Sequence, residues 1–494
     1  MQYYIIRKAA NAILLLSFTT TLIFAQNGGE KPKIPRFEYG KCAVPIPEGV
    51  RVECGDLYVK EDREKPGSNM VRLPVIIIKS SSATPSSNPI LYTGGGPGGS
   101  SLGRVRSARN LVPFTKDRDF IILEQRGTRY SEPSLQCPEV NDAVHLAWEK
   151  GLTGEKAKTA EIRAAKACRE RLLQQGVDLA AYDSAASAAD MENLRQALGI
   201  GKWNLYGVSY STRLMLNYIR EYGANVRSVI LDSVLLPTAN YDETSTQSVV
   251  RSADLLFAAC ASDEKCRLSY PDLKKRFYAL IAAANKKPVT LTGKSGDKSY
   301  TVDIDGARLF DLFYNLLEET SALGDIPWIV SEIEKGNYEL LRRYAENQLT
   351  SEGFVWGARY SVWCREEMPF ENKKKIASQG LFPGTGGFQI QSAMPGICRV
   401  WDVPPPGEIE NKAVRSDIPA LVFGAEFDPD TPADWSRTAA SWFSTGYYFE
   451  AKAASHGVLF SNRCANVEIV PAFLEDPSKR PAATCLETGA LKFK

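Results

Sequence analysis

The chain has 494 residues, with 60 lysines and arginines against 58 acids, for a formal charge of +2. That length exceeds what one core commonly holds, and 44% hydrophobic residues can fill two domains or one domain with a large insertion. The basic residues are interspersed with acids, which argues against a nucleic-acid partner; the Lys373-Lys374-Lys375 run reads as a solvated helix face.

In chain order, Arg7 and Lys8 precede an uncharged run from Ala9 to Ala25 that has the layout of a secretory signal, with cleavage expected after Ala25. The run is too short and too broken by Asn11 and a Ser/Thr cluster for a membrane anchor, and a polar Gln-Asn-Gly-Gly segment follows it. Gln26 rather than cysteine at the new N-terminus argues against a lipid-anchored form. Removing the two signal cations takes the formal charge from +2 to 0. The mature chain is therefore expected to be secreted or periplasmic, without stable membrane insertion. Ten cysteines in such a compartment imply disulfides, and their order suggests neighbours pair: Cys42 with Cys54, Cys137 with Cys168, Cys260 with Cys266, Cys364 with Cys398, Cys464 with Cys485. No C-x-x-C or Cys/His cluster is present, so neither zinc nor any other metal or cofactor is expected.

From Val71 onward strand-like and helix-like segments alternate, the pattern of a mostly parallel sheet covered by helices. Residues 75–78, 90–92, 120–123, 204–206, 229–231 and 421–423 are the strand candidates, and a strand-like run at 447–449 follows. Leaving the second of these, Gly94-Gly95-Gly96-Pro97-Gly98-Gly99-Ser100 can bring bare backbone N–H groups near a substrate. A phosphate loop would need a G-K-[ST] ending, which is missing, and Pro97 removes a donor.

The segment Leu205-Tyr206-Gly207-Val208-Ser209-Tyr210-Ser211 runs from a buried strand into a helix whose Leu214, Met215, Tyr218 and Ile219 recur at helical spacing. It resembles a G-x-S-x-G nucleophile elbow, with Ser211 departing from the second glycine. A serine needs a base and a group to orient that base. The chain has only two histidines, His145 and His456, and only His456 follows Ser209 in the serine, acid, histidine order of hydrolases built on such a sheet. His145 reads as a surface residue. Asp428 and Asp232 both end strand candidates, where ligands gather in open α/β sheets. Asp428 is preferred, held between Pro429 and Pro432 on the strand before the histidine, with Glu426 and Asp430 as lesser candidates. The oxyanion donors would be the N–H groups of Tyr210 and of Gly95 or Gly96.

Between the strand candidates 229–231 and 421–423 the texture changes to chiefly helical patterning, as in Leu309, Phe310, Leu312, Phe313, Leu316 and Leu317. The expected organisation is a signal peptide 1–25, a first part of the sheet domain 26–240, an inserted helical cap 241–409 and a C-terminal part 410–494, the cap ending near the stiff Pro404-Pro405-Pro406-Gly407.

Five strings in order, Gly94-Gly95-Gly96-Pro97-Gly98, Glu124-Gln125-Arg126-Gly127-Thr128, the Ser209 elbow, Asp428-Pro429-Asp430-Thr431-Pro432 and Ser455-His456-Gly457, resemble those of the α/β-hydrolase serine exopeptidases, the prolyl iminopeptidases and secreted tripeptidyl aminopeptidases. Gly94 stands where prolyl iminopeptidases usually have histidine, and Glu124 where aspartate is usual. The resemblance implies an α/β-hydrolase fold with an inserted cap, a Ser209-His456-Asp428 triad and an acyl-enzyme formed near a free substrate N-terminus. It also implies carboxylates that receive the protonated amine, for which Glu366 and Glu367, beside Cys364, are the candidates. Glu124 and Arg126 would form a structural pair under the glycine loop. The alternative is an esterase or amidase using the same residues on a small acyl substrate.

Overall fold

The computed structural model describes residues 35–494 apart from 296–297, 351–353, 391–393 and 488. The expected signal peptide 1–25 lies outside the described residues.

Eleven strands are present among them: β1 (Arg36–Tyr39), β2 (Val52–Lys60), β3 (Met70–Ile78), β4 (Ile90–Thr93), β5 (Phe120–Leu123), β6 (Trp203–Ser209), β7 (Val226–Val234), β8 (Val289–Ser295), β9 (Lys298–Ile304), β10 (Ala420–Ala425) and β11 (Gly446–Ala451). Nine form one sheet in the order β1-β2-β3-β5-β4-β6-β7-β10-β11. The first three and β5 pair antiparallel, and every pairing from β5 through β11 is parallel. This is the α/β-hydrolase fold.

The central strands are buried on both sides, so they appear in sequence as continuous apolar runs. In β6, Trp203 and Leu205 enter the core on one face with Leu91, Leu214 and Leu231, while Tyr206 and Val208 enter the other with Ile90, Phe120 and Phe423. The chain order reverses around β4, flanked by β5 and β6, and Thr93 of β4 lies in register with Gly207 of β6. The carboxyl ends of these two strands make the crevice where such sheets take ligands.

Between β7 and β10 the chain leaves the sheet through helices that include Tyr241–Ser262, Gly306–Glu318, Trp356–Glu366 and Met394–Trp401. The interval also contains the β8–β9 hairpin, which helical patterning did not anticipate. Two helices from before β6 join this roof. Trp148 of Pro138–Glu149 packs with Leu256, Phe313 and Ile329, and Leu172 of Gly154–Gln174 packs with Trp363 and Trp401. The roof is thus wider than residues 241–409. All five neighbouring cysteine pairs are disulfide-bonded. No helix among the described residues is long and apolar enough to cross a membrane.

Candidate active site

Ser209 ends β6 with φ 58° and ψ −133°, a positive-φ conformation that costs a non-glycine residue about 1–3 kcal/mol and points to a functional corner. Glycine is required two residues earlier: a Cβ on Gly207 would lie 2.7 Å from the Ser211 carbonyl oxygen and 2.9 Å from Met215 Cγ. Ser211 itself is buried, and its hydroxyl sits 2.5 Å from Thr93 Oγ1, tying helix Tyr210–Tyr222 to β4. The departure from the elbow pattern thus forms a bond that glycine could not.

The glycine loop lies directly on the serine, since a Cβ on Gly95 would stand 3.0 Å from Ser209 Cβ and 2.9 Å from the Val208 carbonyl. Glu124 holds the loop from below, accepting from Ser100 Oγ (3.0 Å) and from the N–H groups of Ser101 (2.9 Å), Leu102 (3.2 Å) and Tyr130 (3.2 Å). Gln125 Nε2 donates to the Gly94 carbonyl at 2.6 Å. The expected Glu124–Arg126 pair does not form. Glu124 is taken up by the donors of the glycine loop, and Arg126, in the turn after β5, goes to Asp190, with two N–O distances of 2.7 Å, and to the carbonyls of Glu61 and Ala181.

His456 follows β11, and Gly457 at φ 75° turns the chain beyond it. Its Nδ1 lies 2.9 and 3.1 Å from the carboxylate oxygens of the fully buried Asp428. Asp428 also accepts from the N–H groups of Asp430 (2.9 Å) and Thr431 (2.8 Å) and from Thr431 Oγ1 (2.8 Å). The carboxylate assigns the proton to Nδ1 and leaves Nε2 for the cavity. Burial alone would lower the imidazole pKa, but Asp428, Asp430 and Glu318 together raise it above the usual 6.5. Conversely burial would raise Asp428, and the ring with the Thr431 donors holds it below the ordinary carboxylate value. Asp232 is not on the ring. It accepts from the N–H groups of Val458 and Leu459, both at 2.9 Å, and so fixes the turn after the histidine.

Ser209, Gly95, Gly96 and His456 line one cavity of about 300 Å³ under the roof. Among the described residues no hydrogen bond joins Ser209 Oγ to the ring; such contacts commonly tighten only when substrate is bound. The Tyr210 N–H, at the start of its helix, lacks an intrahelical acceptor. His145 stands on helix Pro138–Glu149 and is not part of this cavity.

Glu366 and Glu367 do not face it. Both are buried around Arg213 of the elbow helix: Arg213 Nε lies 3.6 Å from Glu366, and Nη1 pairs with Glu367. Glu366 further accepts from the Ser184 N–H (2.5 Å) and Ser184 Oγ (2.6 Å). The Cys364–Cys398 disulfide adjoins them in sequence, but they lie against Arg213 rather than in the cavity. The carboxylates that line the cavity are Glu318, at the end of helix Gly306–Glu318, and Asp430. Asp430 accepts from Tyr241 Oη (3.0 Å) and Tyr314 Oη (2.8 Å), and burial together with Asp430 pushes Glu318 well above the ordinary carboxyl range. An acid closing an amphipathic helix carries no sequence signal that distinguishes it from a solvated one.

Three groups of potential metal ligands occur among the described residues. Two contain cysteines already joined in disulfides, Cys137–Cys168 and Cys464–Cys485. The third is Asp428, Asp430 and His456: Asp428 bonds the ring and Thr431, and Asp430 accepts from Tyr241 and Tyr314.

A parallel sheet whose switch point presents a serine on a strained turn, a glycine loop against it and a carboxylate-bound histidine defines a serine hydrolase of the α/β-hydrolase class. Residues 386–485 match the family model described as TAP-like protein. Serine protease Hip1 of Mycobacterium tuberculosis is 23% identical over 465 residues, covering 87% of this chain and 86% of that protein. The tripeptidyl aminopeptidase of Streptomyces coelicolor is 24% identical over 470 residues, covering 88% and 83%. Carboxylesterase B of M. tuberculosis is 24% identical over 489 residues, covering 91% and 90%. The chain is a serine hydrolase, similar over residues 386–485 to the TAP-like proteins.

Proposed function

We propose that the protein is an exported aminopeptidase that releases short N-terminal peptides or single residues through an acyl-enzyme on Ser209. The observation that carries the reading is the Asp428-held imidazole of His456 sharing a roofed cavity with a serine on a positive-φ elbow. In this mechanism Ser209 Oγ attacks the substrate carbonyl as its proton passes to His456 Nε2, and Asp428 stabilises the imidazolium that forms. The N–H groups of Tyr210 and of Gly95 or Gly96 receive the oxyanion, each donor contributing about 3 kcal/mol. Collapse expels the leaving amine, protonated by His456, and water then repeats the sequence on the acyl-enzyme.

Two features favour a substrate amine. Asp430 and Glu318 line the cavity with carboxyl oxygens that can accept from an ammonium group, and the roof over the cavity suits chain ends and small molecules. Export is supported by the signal-like N-terminus and by five disulfides, which persist in oxidising compartments. The second reading, an esterase, is favoured by the likeness to carboxylesterase B.

The deciding measurement compares chromophore release from mono-, di- and tripeptide anilides, each with a free and an acetylated N-terminus, beside a nitrophenyl ester. Cleavage confined to the free amines is the expected result, the best chain length giving the number of residues released. Fast ester cleavage indifferent to the amine would replace the peptidase reading with the esterase one.

A further inference from the structure

The loop that carries Asp428 beyond β10 is held from two sides. On the side of β11, the Glu426 and Phe427 N–H groups donate to the carbonyls of Ala451 (3.2 Å) and Ala454 (3.0 Å). The carbonyls of Glu426, Phe427 and Asp428 meet no backbone N–H among the described residues. Helix Tyr241–Ser262 of the roof supplies their donors. Arg251 Nη1 donates to the Glu426 carbonyl (3.4 Å) and Nη2 to that of Asp428 (2.5 Å), while Ser252 Oγ donates to that of Phe427 (2.5 Å). Two adjacent residues of one helix thus take three successive carbonyls, the last belonging to the residue that holds the His456 ring. Phe427 and Asp428 are buried, so their carbonyls depend on these bonds for want of water.

The histidine is held in a similar way. Beside it, the buried Ser455 donates its N–H to Thr320 Oγ1 (2.9 Å) and its hydroxyl to the Leu317 carbonyl (2.5 Å), at and just past the end of roof helix Gly306–Glu318. On its other flank the Gly457 N–H donates to Ser233 Oγ of β7 (2.9 Å).

We propose that Arg251 and Ser252 are positioning residues for the catalytic acid: the roof helix that bears them fixes the Asp428 backbone and, through it, the carboxylate against His456 Nδ1. The inference rests on the Ser209-His456-Asp428 reading and gives the roof a part in the chemistry besides covering the cavity. Asp428 and His456 stand on loops beyond the ends of neighbouring strands, where the hydrogen bonds of the sheet stop. A catalytic group must stay within about 0.5 Å of its productive place, and the carboxylate keeps the ring in one tautomer and direction only from there. A loop bonded along one edge can rock about that edge; donors from a separate element on the opposite edge remove the motion. Neither Arg251 nor Ser252 lines the cavity, so their effect falls on bond formation rather than on binding.

The test uses the mature protein and an alkyl fluorophosphonate, which reports activation of the serine whatever the natural acyl group. Ser209 Oγ bonds to phosphorus, fluoride leaves, and the hydroxyl proton passes to His456. Arg251→Met keeps an apolar stem and removes both donors; it should lower the limiting labelling rate about tenfold or more, with the half-saturating concentration changed less than about twofold. In an Asp428→Asn background the same substitution should lower the rate less than about twofold, because a residue that acts through the carboxylate has nothing left to position. An equal loss in the two backgrounds would overturn the proposal and leave the triad standing. Asp428→Asn labelled as fast as the wild type would remove the triad reading, and the positioning role with it. Thermal melts accompany each variant, and a lowered melting temperature with an unchanged limiting rate would make both residues structural struts and overturn the proposal. If Arg251→Met does not fold, Ser252→Ala, which removes one bond, carries the same comparison with an expected loss of about threefold, and a wild-type rate there would be equally decisive against it.

Discussion

Single atoms around Ser209 decide whether the site works. A Cβ on Gly95 would stand within 3.0 Å of both Ser209 Cβ and the Val208 carbonyl, neither of which belongs to a flexible side-chain end. Gly95→Ala should therefore push the loop off the serine and lower kcat about 100-fold or more while thermal unfolding barely moves, a split visible by pairing kinetics with a melt. Asp428→Asn removes the carboxylate from the ring, whereas Asp232→Asn disturbs only the turn after it, so the first should reduce turnover far more; the reverse ranking would move the orienting role to Asp232. The imidazole titrates high because burial, which opposes its charge, is outweighed by Asp428, Asp430 and Glu318. A general base must be neutral, so kcat/KM should climb with pH through a limb above 6.5. Asp430→Asn withdraws one of those charges and should move the limb to lower pH; an unmoved limb would mean that Asp430 does not act on the ring.

Elements matter through what they bring together from distant sequence. The helix that begins at Tyr210 carries Arg213 to Glu366 and Glu367 of the roof, both more than 150 positions away along the chain. Removing a buried ion's partner strands charge in a low dielectric, so Arg213→Ala should destabilise by about 3–5 kcal/mol, read as a denaturant midpoint shift; a change under about 1 kcal/mol would show that the acids simply take up protons. This strut also marks where sequence reasoning ran out. Strands β4, β5, β6, β7 and β10 were legible as apolar runs because parallel strands are buried on both faces. The amphipathic β2, with Glu53, Asp56 and Lys60 at its more open positions, and the Thr- and Lys-bearing β8–β9 hairpin carried no such run. The serine, the histidine and the glycine loop were legible because each sits in a short motif whose backbone needs particular residues. Glu366 and Glu367 were misjudged because two acids beside a disulfide look alike whether they face a cavity or an arginine. Glu318 was missed because its role depends on Asp430, 112 positions later, which only the fold brings close.

At the scale of the whole molecule, roof and crevice are rich in buried acids that hold their protons. Burial raises Asp242 to about 7 against the Trp363 donor and Arg359, and raises Glu371, with Asp242 and Glu243 adding to it, to about 8. The direction is the same for Asp232, Asp311, Glu161 and Glu366. An acid whose folded pKa exceeds its unfolded one binds more protons in the native state, so its contribution is complete below about 4 and is lost as pH rises through the folded value. His456, also raised, adds a loss of the same sign above 6.5. Asp428, which is lowered, opposes this only below about 4, where its own proton returns. The melting temperature should consequently fall between pH 5 and pH 8.5, over the interval in which activity climbs. Asp242→Asn keeps an acceptor for Trp363 Nε1 while removing the titration, and should flatten that decline. Thermal melts of both proteins at half-unit pH steps decide the matter: a melting temperature rising from pH 5 to 8 would mean that these carboxyls are ionised in the folded chain, and that cations beneath the roof compensate them as Arg213 does for Glu367.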